Sequence, residues 1–174
     1  MNRPLSINAD DLAVVALGGN LPGAYGSVQA ALQAAVDRLP AAGMAVIGQS
    51  GWWRSAAWPD PADPPFLNGI ALVQTALSPL QTLQALRALE SQFGLRDGPR
   101  NSPRVLDLDL IAHGRTLMKG PELTLPHTRA AERLFVMGPL AQIAPDWRHP
   151  VLDQSAAVLA KTASVGLDAR PIGD

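Results

Sequence analysis

Apolar residues form two different patterns along the first part of the chain. Residues 12–17 are all apolar and are followed by Gly18 and Gly19, which predicts a buried strand that ends at a turn. Apolar residues then recur at every third or fourth position over residues 28–39, which predicts a helix. Ser27 can cap the start of this helix, and Pro40 ends it.

Further strands and a second helix are predicted in the middle of the chain. Strands are expected at residues 44–55, 66–75 and 104–111, and a helix is expected to begin after Ser78. Ser78 is the predicted N-cap, and Gln81 completes a capping box with it. The predicted apolar stripe of this helix comprises Leu80, Leu83, Leu86, Leu89 and Phe93.

The order of these elements, β-α-β-β-α-β, is the ferredoxin-like arrangement. We therefore expect an α+β sandwich in which an antiparallel sheet has helices packed on one face. Residues 12–150 are expected to form one domain after a tail at residues 1–11. Residues 115–150 should be loop-rich with a short helix near Ala130, and residues 151–174 should form a helix and a loose tail.

The amino-acid composition excludes several classes of protein. Hydrophobic residues make up 47% of the chain and charged residues 17%, which is typical of a folded domain and not of a disordered segment. The net charge of −1 argues against a protein that binds nucleic acid through phosphate contacts. The absence of cysteine excludes disulfides and thiol chemistry. No apolar run approaches the roughly 20 residues that span a bilayer, so we expect a cytoplasmic protein with no membrane partner, and a monomer is the simplest expectation.

Two aspartates interrupt the fourth predicted strand. Side chains alternate between the two faces of a strand, so Asp107 and Asp109 should point to one face and the neighbouring leucines to the other. Two carboxylates this close repel unless a cation compensates them, and magnesium commonly binds one or two protein carboxylates together with substrate phosphates. The pair therefore indicates a magnesium site in a phosphate-transferring enzyme. The alternative is a solvated sheet face, although aspartate is disfavoured in strands.

Arginines and a histidine surround this pair in the sequence. Arg104 precedes it and Arg133 follows it, and an arginine side chain can donate two hydrogen bonds to one phosphate. His127 comes directly after Pro126 and could donate to a phosphate or act as an acid. Any one of them could equally be an ordinary surface residue.

Three other features could contact a ligand. Asn68 lies among apolar residues of the third predicted strand, so its amide must pair with backbone or with the edge of a heterocycle. Trp58 lies in a proline-rich loop, where its ring could stack on a flat ligand. Residues 18–20 (Gly-Gly-Asn) could form a phosphate-binding turn, but a turn that only reverses the chain is favoured because the residues match no nucleotide-binding motif.

With these motifs in this order, the chain resembles the 6-hydroxymethyl-7,8-dihydropterin pyrophosphokinase family of folate biosynthesis. The resemblance extends over residues 12–150. It includes Phe66-Leu67-Asn68-Gly69. Its most specific parts are, in chain order, Pro103-Arg104-Val105-Leu106-Asp107-Leu108-Asp109, Leu123-Thr124-Leu125-Pro126-His127 and Glu132-Arg133-Leu134-Phe135.

The resemblance implies an activity and a cofactor. The family transfers pyrophosphate from ATP to the hydroxymethyl group of the dihydropterin and releases AMP, which is the activity of a 2-amino-4-hydroxy-6-hydroxymethyldihydropteridine diphosphokinase. ATP and the pterin are then the partners of the chain, and two Mg²⁺ ions bridge them. Asp107 and Asp109 are implied to bind the metal and to form the catalytic set with Arg96 and Arg104.

The resemblance also implies two substrate-binding sets. The residues implied to bind the pterin are Ser55, Ala56, Trp58, Phe66, Asn68 and Phe135. The residues implied to bind ATP are Glu90, Arg100, Arg104, Leu110, Thr124, His127 and Arg133.

Two departures from the family pattern lie in the loop after Glu90. Leu95 stands where the family usually has arginine, unless the register slips by one residue and Arg96 takes that place, and Asn101 stands where tryptophan is often found. These departures leave open a relative that binds nucleotide or pterin without catalysis. An RNA-binding ferredoxin-like module is less favoured, because it would need a basic face with aromatic residues where the fourth strand offers aspartates.

Overall fold

A six-stranded sheet, antiparallel in every pairing, forms the centre of the molecule. The structure, a computed structural model, describes residues 7–94, 98 and 101–173. The strands are β1 (Ala13–Gly19), β2 (Ala45–Gln49), β3 (Trp53–Ser55), β4 (Phe66–Gln74), β5 (Asp107–His113), β6 (Met118–Lys119), β7 (Thr124–Leu125) and β8 (Arg170–Pro171). The helices are α1 (Val28–Arg38), α2 (Pro79–Ser91), α3 (Leu134–Ile143) and α4 (Ala156–Thr162). β6 and β7 form a separate two-stranded ribbon.

The strand order confirms the ferredoxin-like prediction. β1 lies between β5 and β4, and β4 pairs on its other side with both β2 and β3. The single strand predicted at residues 44–55 is thus divided in two. Between β2 and β3, the N–H of Ser50 donates to the Ile70 carbonyl at 2.9 Å, but the N–H of Ile70 on β4 donates to the Ser50 hydroxyl at 2.8 Å and not to a backbone carbonyl. Trp52 then packs directly on β4, where a Cβ on Gly69 would lie 2.6 Å from the indole ring.

Both predicted N-caps are confirmed. The hydroxyl of Ser27 accepts a backbone N–H of α1 at 3.0 Å, and Ser78 and Gln81 form the complete capping box of α2. The predicted stripe of α2 is partly wrong, because Leu80 is 42% exposed whereas Thr82 is fully buried. Burial of Thr82 is possible because its hydroxyl donates to the Ser78 carbonyl one turn earlier.

Helices cover both faces of the sheet, so the prediction of helices on one face is wrong. α1 and α2 pack on the face that carries Leu17 and Leu108, whereas α3 and α4 pack on the face that carries Ile70. The sequence did not predict α3 as a helix because nearly all of its residues are apolar, and no polar face marks its period. Met137 and Leu140 of α3 are fully buried and fill this second core.

The segment after residue 150 is packed against the domain, so the expected loose tail is wrong. α4 contributes Ala156 and Leu159 to the second core, and β8 pairs with β3. The fourth predicted strand is shorter than expected, since β5 begins at Asp107 and residues 104–106 belong to a loop. The domain limits at residues 11 and 150 stay predictions.

Within the described part of the chain, no helix is both long and apolar enough to cross a membrane.

The contrast between Leu80 and Leu86 predicts a large difference in stability between two leucine truncations on one helix. Leu86 is fully buried in the core under α2, so Leu86→Ala should lower the free energy of unfolding by roughly 2–5 kcal/mol. Leu80→Ala is the matched control on the exposed side and should cost less than about 1 kcal/mol. Urea unfolding of both variants measures the difference, and equal losses would contradict the burial of Leu86 under α2.

Candidate active site

The two aspartates lie at the start of β5, next to the central strand. Asp107 pairs with Gly18 and Asp109 with Ala16 in the β1–β5 ladder. Directly paired residues of antiparallel strands share a face, so both half-buried carboxylates lie beside small residues of β1. Leu108 is buried in the opposite core, which confirms the predicted alternation. The Cα atoms of residues two apart on a strand are about 7 Å apart. At this spacing both carboxylates can contribute ligands to the same bound cations.

Gly18 also pairs with Asn68, on the other side of β1. Asn68 and Asp107 are therefore two strands apart, a backbone distance of roughly 10 Å. The residue between them on β1 is a glycine. Asn68 is 8% exposed and donates from Nδ2 to the hydroxyl of Ser55 at 2.9 Å. A Cβ on Gly18 would lie 3.4 Å from Asn68 Oδ1, so a larger residue would fill this space. The implied metal ligands and the implied pterin residue therefore share one face of the sheet.

Arg104 lies in the loop before β5 and forms an ion pair with Asp107. Its Nη1 is 3.4 Å from Asp107 Oδ2, and the two side chains are 17% and 27% exposed, so solvent screens the pair only in part. Its Nε also donates to the Ser102 carbonyl at 3.3 Å. The guanidinium is thus held beside the first carboxylate, where it can also bind an anion.

Asn20 fixes this loop from the end of β1. Its Oδ1 accepts the N–H of Arg104 at 2.8 Å, and its own N–H donates to the Arg104 carbonyl at 2.9 Å. Its Nδ2 donates to the Pro64 carbonyl at 2.9 Å, and a Cβ on the preceding Gly19 would overlap the carbonyl oxygen of Val105. This turn therefore positions the Arg104 loop, a role that the sequence analysis did not assign. The signal in the sequence was a polar residue directly after a buried strand and two glycines.

Arg133 and Phe135 stand at the start of α3. Burial lowers the pKa of the Arg133 guanidinium and Arg129 lowers it further, whereas Asp109 favours the charged form. The group stays protonated near pH 7, as arginine does in proteins. Its Cζ lies 5.7 Å from the centre of the Phe135 ring, within cation–π range. A guanidinium and an aromatic ring are therefore presented together near the carboxylates.

His127 follows β7 and is held against β5. Its N–H donates to the Ile111 carbonyl at 2.8 Å. Burial lowers the pKa of the imidazole below its ordinary value of 6.5, and Arg133 lowers it further, whereas Asp107 opposes the shift. Nδ1 accepts the N–H of Arg129 at 3.3 Å. A neutral imidazole that accepts at Nδ1 has its proton on Nε2, so His127 can donate one hydrogen bond to a ligand.

A cleft of about 540 Å³ lies beside β5, between α2 and residues 122–128. Small-ligand sites in proteins usually have volumes of roughly 300–1,000 Å³. Asp109 lines the cleft, as does Arg87, which the sequence analysis missed although it lies one turn before Glu90 on α2. The implied ATP residues that line it are Glu90, Leu110, Thr124 and His127.

Comparisons with known proteins show the family to which the chain belongs. A family model described as 7,8-dihydro-6-hydroxymethylpterin-pyrophosphokinase (HPPK) matches residues 14–145. The chain belongs to the HPPK family. Enzymes of this family transfer pyrophosphate from ATP to hydroxymethyldihydropterin in folate biosynthesis and generally require Mg²⁺, so the chain is an enzyme of this class.

Relatives with the same family name match most of the chain. The 2-amino-4-hydroxy-6-hydroxymethyldihydropteridine pyrophosphokinase of Synechocystis sp. is 43% identical over 139 residues, which is 79% of this chain and 69% of that protein. The pyrophosphokinase of the same name from Pseudomonas aeruginosa is 39% identical over 158 residues, which is 90% of this chain and 95% of that protein.

Solved structures share the HPPK fold. The crystal structure of a Plasmodium falciparum HPPK-DHPS triple mutant with SDX-DHP matches with a TM-score of 0.69 at 12% identity. The match covers 92% of this chain and 47% of that chain, so the present chain spans less than half of that protein. At this identity the likeness concerns the fold alone.

The residues implied to bind the pterin come from three elements of the HPPK fold. Ser55 and Phe66 pair across the β3–β4 ladder, beside Asn68, and Ala56 begins the loop after β3. Phe135 lies on α3. The structure therefore brings strands and a helix that are far apart in the sequence to one side of the sheet.

Some residues that the HPPK pattern implies are not placed in the site. Arg96 and Arg100, like Leu95, lie outside the described residues. Trp58 is 73% exposed in the loop between β3 and β4. Asn101 has a φ of 68°, a conformation that asparagine tolerates better than the tryptophan common at this position of the family.

The donor set of the site fits magnesium. Asp107 and Asp109 offer carboxylate oxygens, and magnesium usually completes its shell with water and substrate phosphates. Among the described residues, no group of three or more His, Asp or Glu side chains could hold a metal ion. A magnesium ion bound by these two carboxylates would take its other ligands from water and phosphate.

The lowered pKa of His127 predicts a pH dependence of stability. The folded state favours the neutral imidazole, so this contribution is complete above the ordinary pKa of 6.5 and is lost as the pH falls through the lower folded-state pKa. His127→Gln should therefore lose less stability than the wild type on acidification below the ordinary histidine pKa of about 6.5. Urea unfolding without ligands measures this.

The other histidines act as an internal control in this experiment. Burial is also the main cause that lowers the pKa values of His113 and His149, and both are present in wild type and variant. The difference between the two proteins thus reports His127 alone. An equal or steeper loss in the variant would contradict the burial of His127.

Proposed function

We propose that the chain transfers pyrophosphate from ATP to the hydroxymethyl group of 6-hydroxymethyl-7,8-dihydropterin and releases AMP, as a pyrophosphokinase of folate biosynthesis. Membership of the HPPK family supports this reaction. The observation that carries the residue assignment is the register of β1, in which Gly18 pairs with Asp107 on one side and Asn68 on the other. A pterin bound at Asn68 can then present its hydroxymethyl group to phosphates bound near Asp107.

For ATP, the cleft beside β5 takes the nucleoside and the arginines take the phosphates. Leu110 and Thr124 line the cleft and are assigned to the base, and His127 can donate from Nε2 to the nucleotide. Arg104 and Arg133 lie near the carboxylates, where guanidinium groups can donate two hydrogen bonds to a phosphate. The assignments of Glu90, Arg96 and Arg100 stay predictions from the family pattern.

For the pterin, the amide of Asn68 is assigned to the polar edge of the heterocycle. The bond from Asn68 to Ser55 orients that amide. Phe66 and Phe135 supply aromatic faces for stacking, and Ala56 starts the loop that continues to the exposed Trp58. Contacts from several elements would hold the ring in one orientation.

The reaction needs positioning and charge neutralisation more than a protein nucleophile. The pterin hydroxyl oxygen bonds to the β-phosphorus of ATP while the bond from that phosphorus to the bridging α–β oxygen breaks, so AMP leaves. Two magnesium ions, when bound, would neutralise the triphosphate and lower the pKa of the attacking hydroxyl. Asp107 and Asp109 would hold them, and Arg104 balances the charge of Asp107. The monomeric state and the cytoplasmic location stay predictions.

The proposed reaction predicts a specific product balance. With ATP, Mg²⁺ and the dihydropterin, the protein should form AMP and pterin diphosphate in equal amounts, and neither should form without the pterin. Chromatographic quantification of nucleotides and pterins measures both. Formation of ADP in place of AMP would refute the reaction. Calorimetric binding of both substrates without AMP formation would instead favour the non-catalytic relative that Leu95 and Asn101 leave open.

The metal assignment predicts that both aspartates are needed for turnover. Asp107→Asn and Asp109→Asn keep the side-chain size but remove the charge, and each should lower kcat by roughly 10²–10³-fold, the effect of removing one preorganised electrostatic group. Each should also raise the Mg²⁺ concentration needed for half-maximal rate. Asp37→Asn, on the exposed side of α1, is the matched control and should leave kcat unchanged. Normal turnover of either site variant would show that the metal assignment is wrong.

A further inference from the structure

Residues 164–172 connect two segments that carry proposed pterin residues. We call them the C-terminal strap; they follow α4, include β8 and lie beyond the residues 14–145 that match the HPPK family model. One end of the strap contacts the start of α3, and the other end contacts β3. The strap therefore bridges both sides of the proposed pterin site without belonging to any of the family motifs.

At the α3 end, the strap holds the backbone around Arg133. Residues 164 and 165 form three backbone hydrogen bonds, each 2.9 Å long, with the residues on either side of Arg133. The next residue, Gly166, has a φ of 68° and lies directly against Phe135, where a Cβ would overlap the ring. The strap is thus packed against the ring of Phe135, a proposed pterin residue.

At the β3 end, the strap adds an edge strand. β8 places Arg170 opposite Arg54, and the N–H of Ile172 donates to the Trp52 carbonyl at 3.0 Å. β3 has only three residues and leads directly into the proposed pterin loop at Ala56. Pairing on both edges therefore stabilises the short strand from which this loop departs.

Asp168 contacts the pterin loop itself. Its Oδ2 accepts the backbone N–H of Ala56 at 2.6 Å, and hydrogen bonds to an ionised acceptor are stronger than bonds between neutral groups. Asp168 and Ala56 are exposed, whereas Ser55 and Ala57 are buried on either side of Ala56. The bond thus fixes the first exposed residue after β3.

We propose that Asp168 is a positioning residue for the pterin and acts through the backbone of Ala56. The inference rests on the proposed function, because it takes the loop after Ser55 together with Phe135 as the pterin site. The strap holds this loop to the segment that supports Phe135, so it sets the separation of the two sides of the site. A loop already ordered in its binding conformation loses less entropy when the ligand binds. The effect is therefore on the pterin and not on ATP, whose proposed cleft lies beside β5.

The test is the steady-state kinetics of AMP release by Asp168→Ala and Asp168→Asn. Asp168→Ala removes the acceptor and should raise the KM for the pterin about tenfold, the factor that corresponds to one hydrogen bond to a charged group. The KM for ATP should stay at the wild-type value. Asp168→Asn keeps an oxygen acceptor and should bring the KM for the pterin back to within about threefold of wild type.

Asp10→Ala is the matched control. The carboxylate of Asp10 also accepts a backbone N–H, that of Arg148 at 2.9 Å, but Arg148 lies beyond the opposite end of α3 from Phe135. Loss of this bond should leave the KM for the pterin unchanged. Comparison of Asp168→Ala with Asp10→Ala thus distinguishes two effects. One is the loss of a bond that positions the pterin loop, and the other is the loss of any hydrogen bond between two distant segments.

Three results would overturn the inference. They are a wild-type KM for the pterin in Asp168→Ala, an equal rise of the KM for ATP in that variant, and an equal rise of the KM for the pterin in Asp10→Ala. A wild-type protein that forms no AMP would refute the proposed function instead. In that case, calorimetric titration of the same variants with the dihydropterin still decides on Asp168, by the same expected loss of affinity.

Discussion

Pairing of β1 with β4 on one side and β5 on the other is the constraint on which the site depends. Because both ladders are formed at once, Gly18 has Asn68 and Asp107 as its two neighbours. A slip of one residue in either ladder would turn the polar side chain to the opposite face. The two cores oppose such a slip, since Val15 is buried in one core and Val14 in the other. Apolar packing therefore determines where the polar groups of the site lie.

Charges in the site are balanced between elements that are far apart in the sequence. Arg104 pairs with Asp107, Asp109 favours the charged form of Arg133, and burial keeps the pKa of His127 low. Two carboxylates and two guanidiniums thus stand beside a neutral imidazole. This combination suits a ligand that is itself both anionic and bound to a divalent cation, because each charge on the protein then has a counterpart.

Sequence reasoning succeeded where the signal was local. The capping box at Ser78 and the alternation around Asp107 depend only on residues a few positions apart, and both appear in the structure as predicted. It failed where burial was decided by distant partners. Leu80 has the spacing of a core residue but is exposed, and α3 has no polar face because the sheet and α4 surround it. The assignment of Asp107 and Asp109 to metal stays a prediction that the geometry supports.

By itself, the sequence determined the ferredoxin-like order of elements, the two aspartates on one strand face and the family motifs around them. These features follow from residue types at fixed short spacings, which any reader of the chain can recognise. Only the tertiary structure decided that Asn20 holds the Arg104 loop and that Asp168 holds Ala56. Those bonds join residues 84 and 112 positions apart, respectively, and no local pattern specifies which distant carboxylate or amide will meet a given backbone N–H.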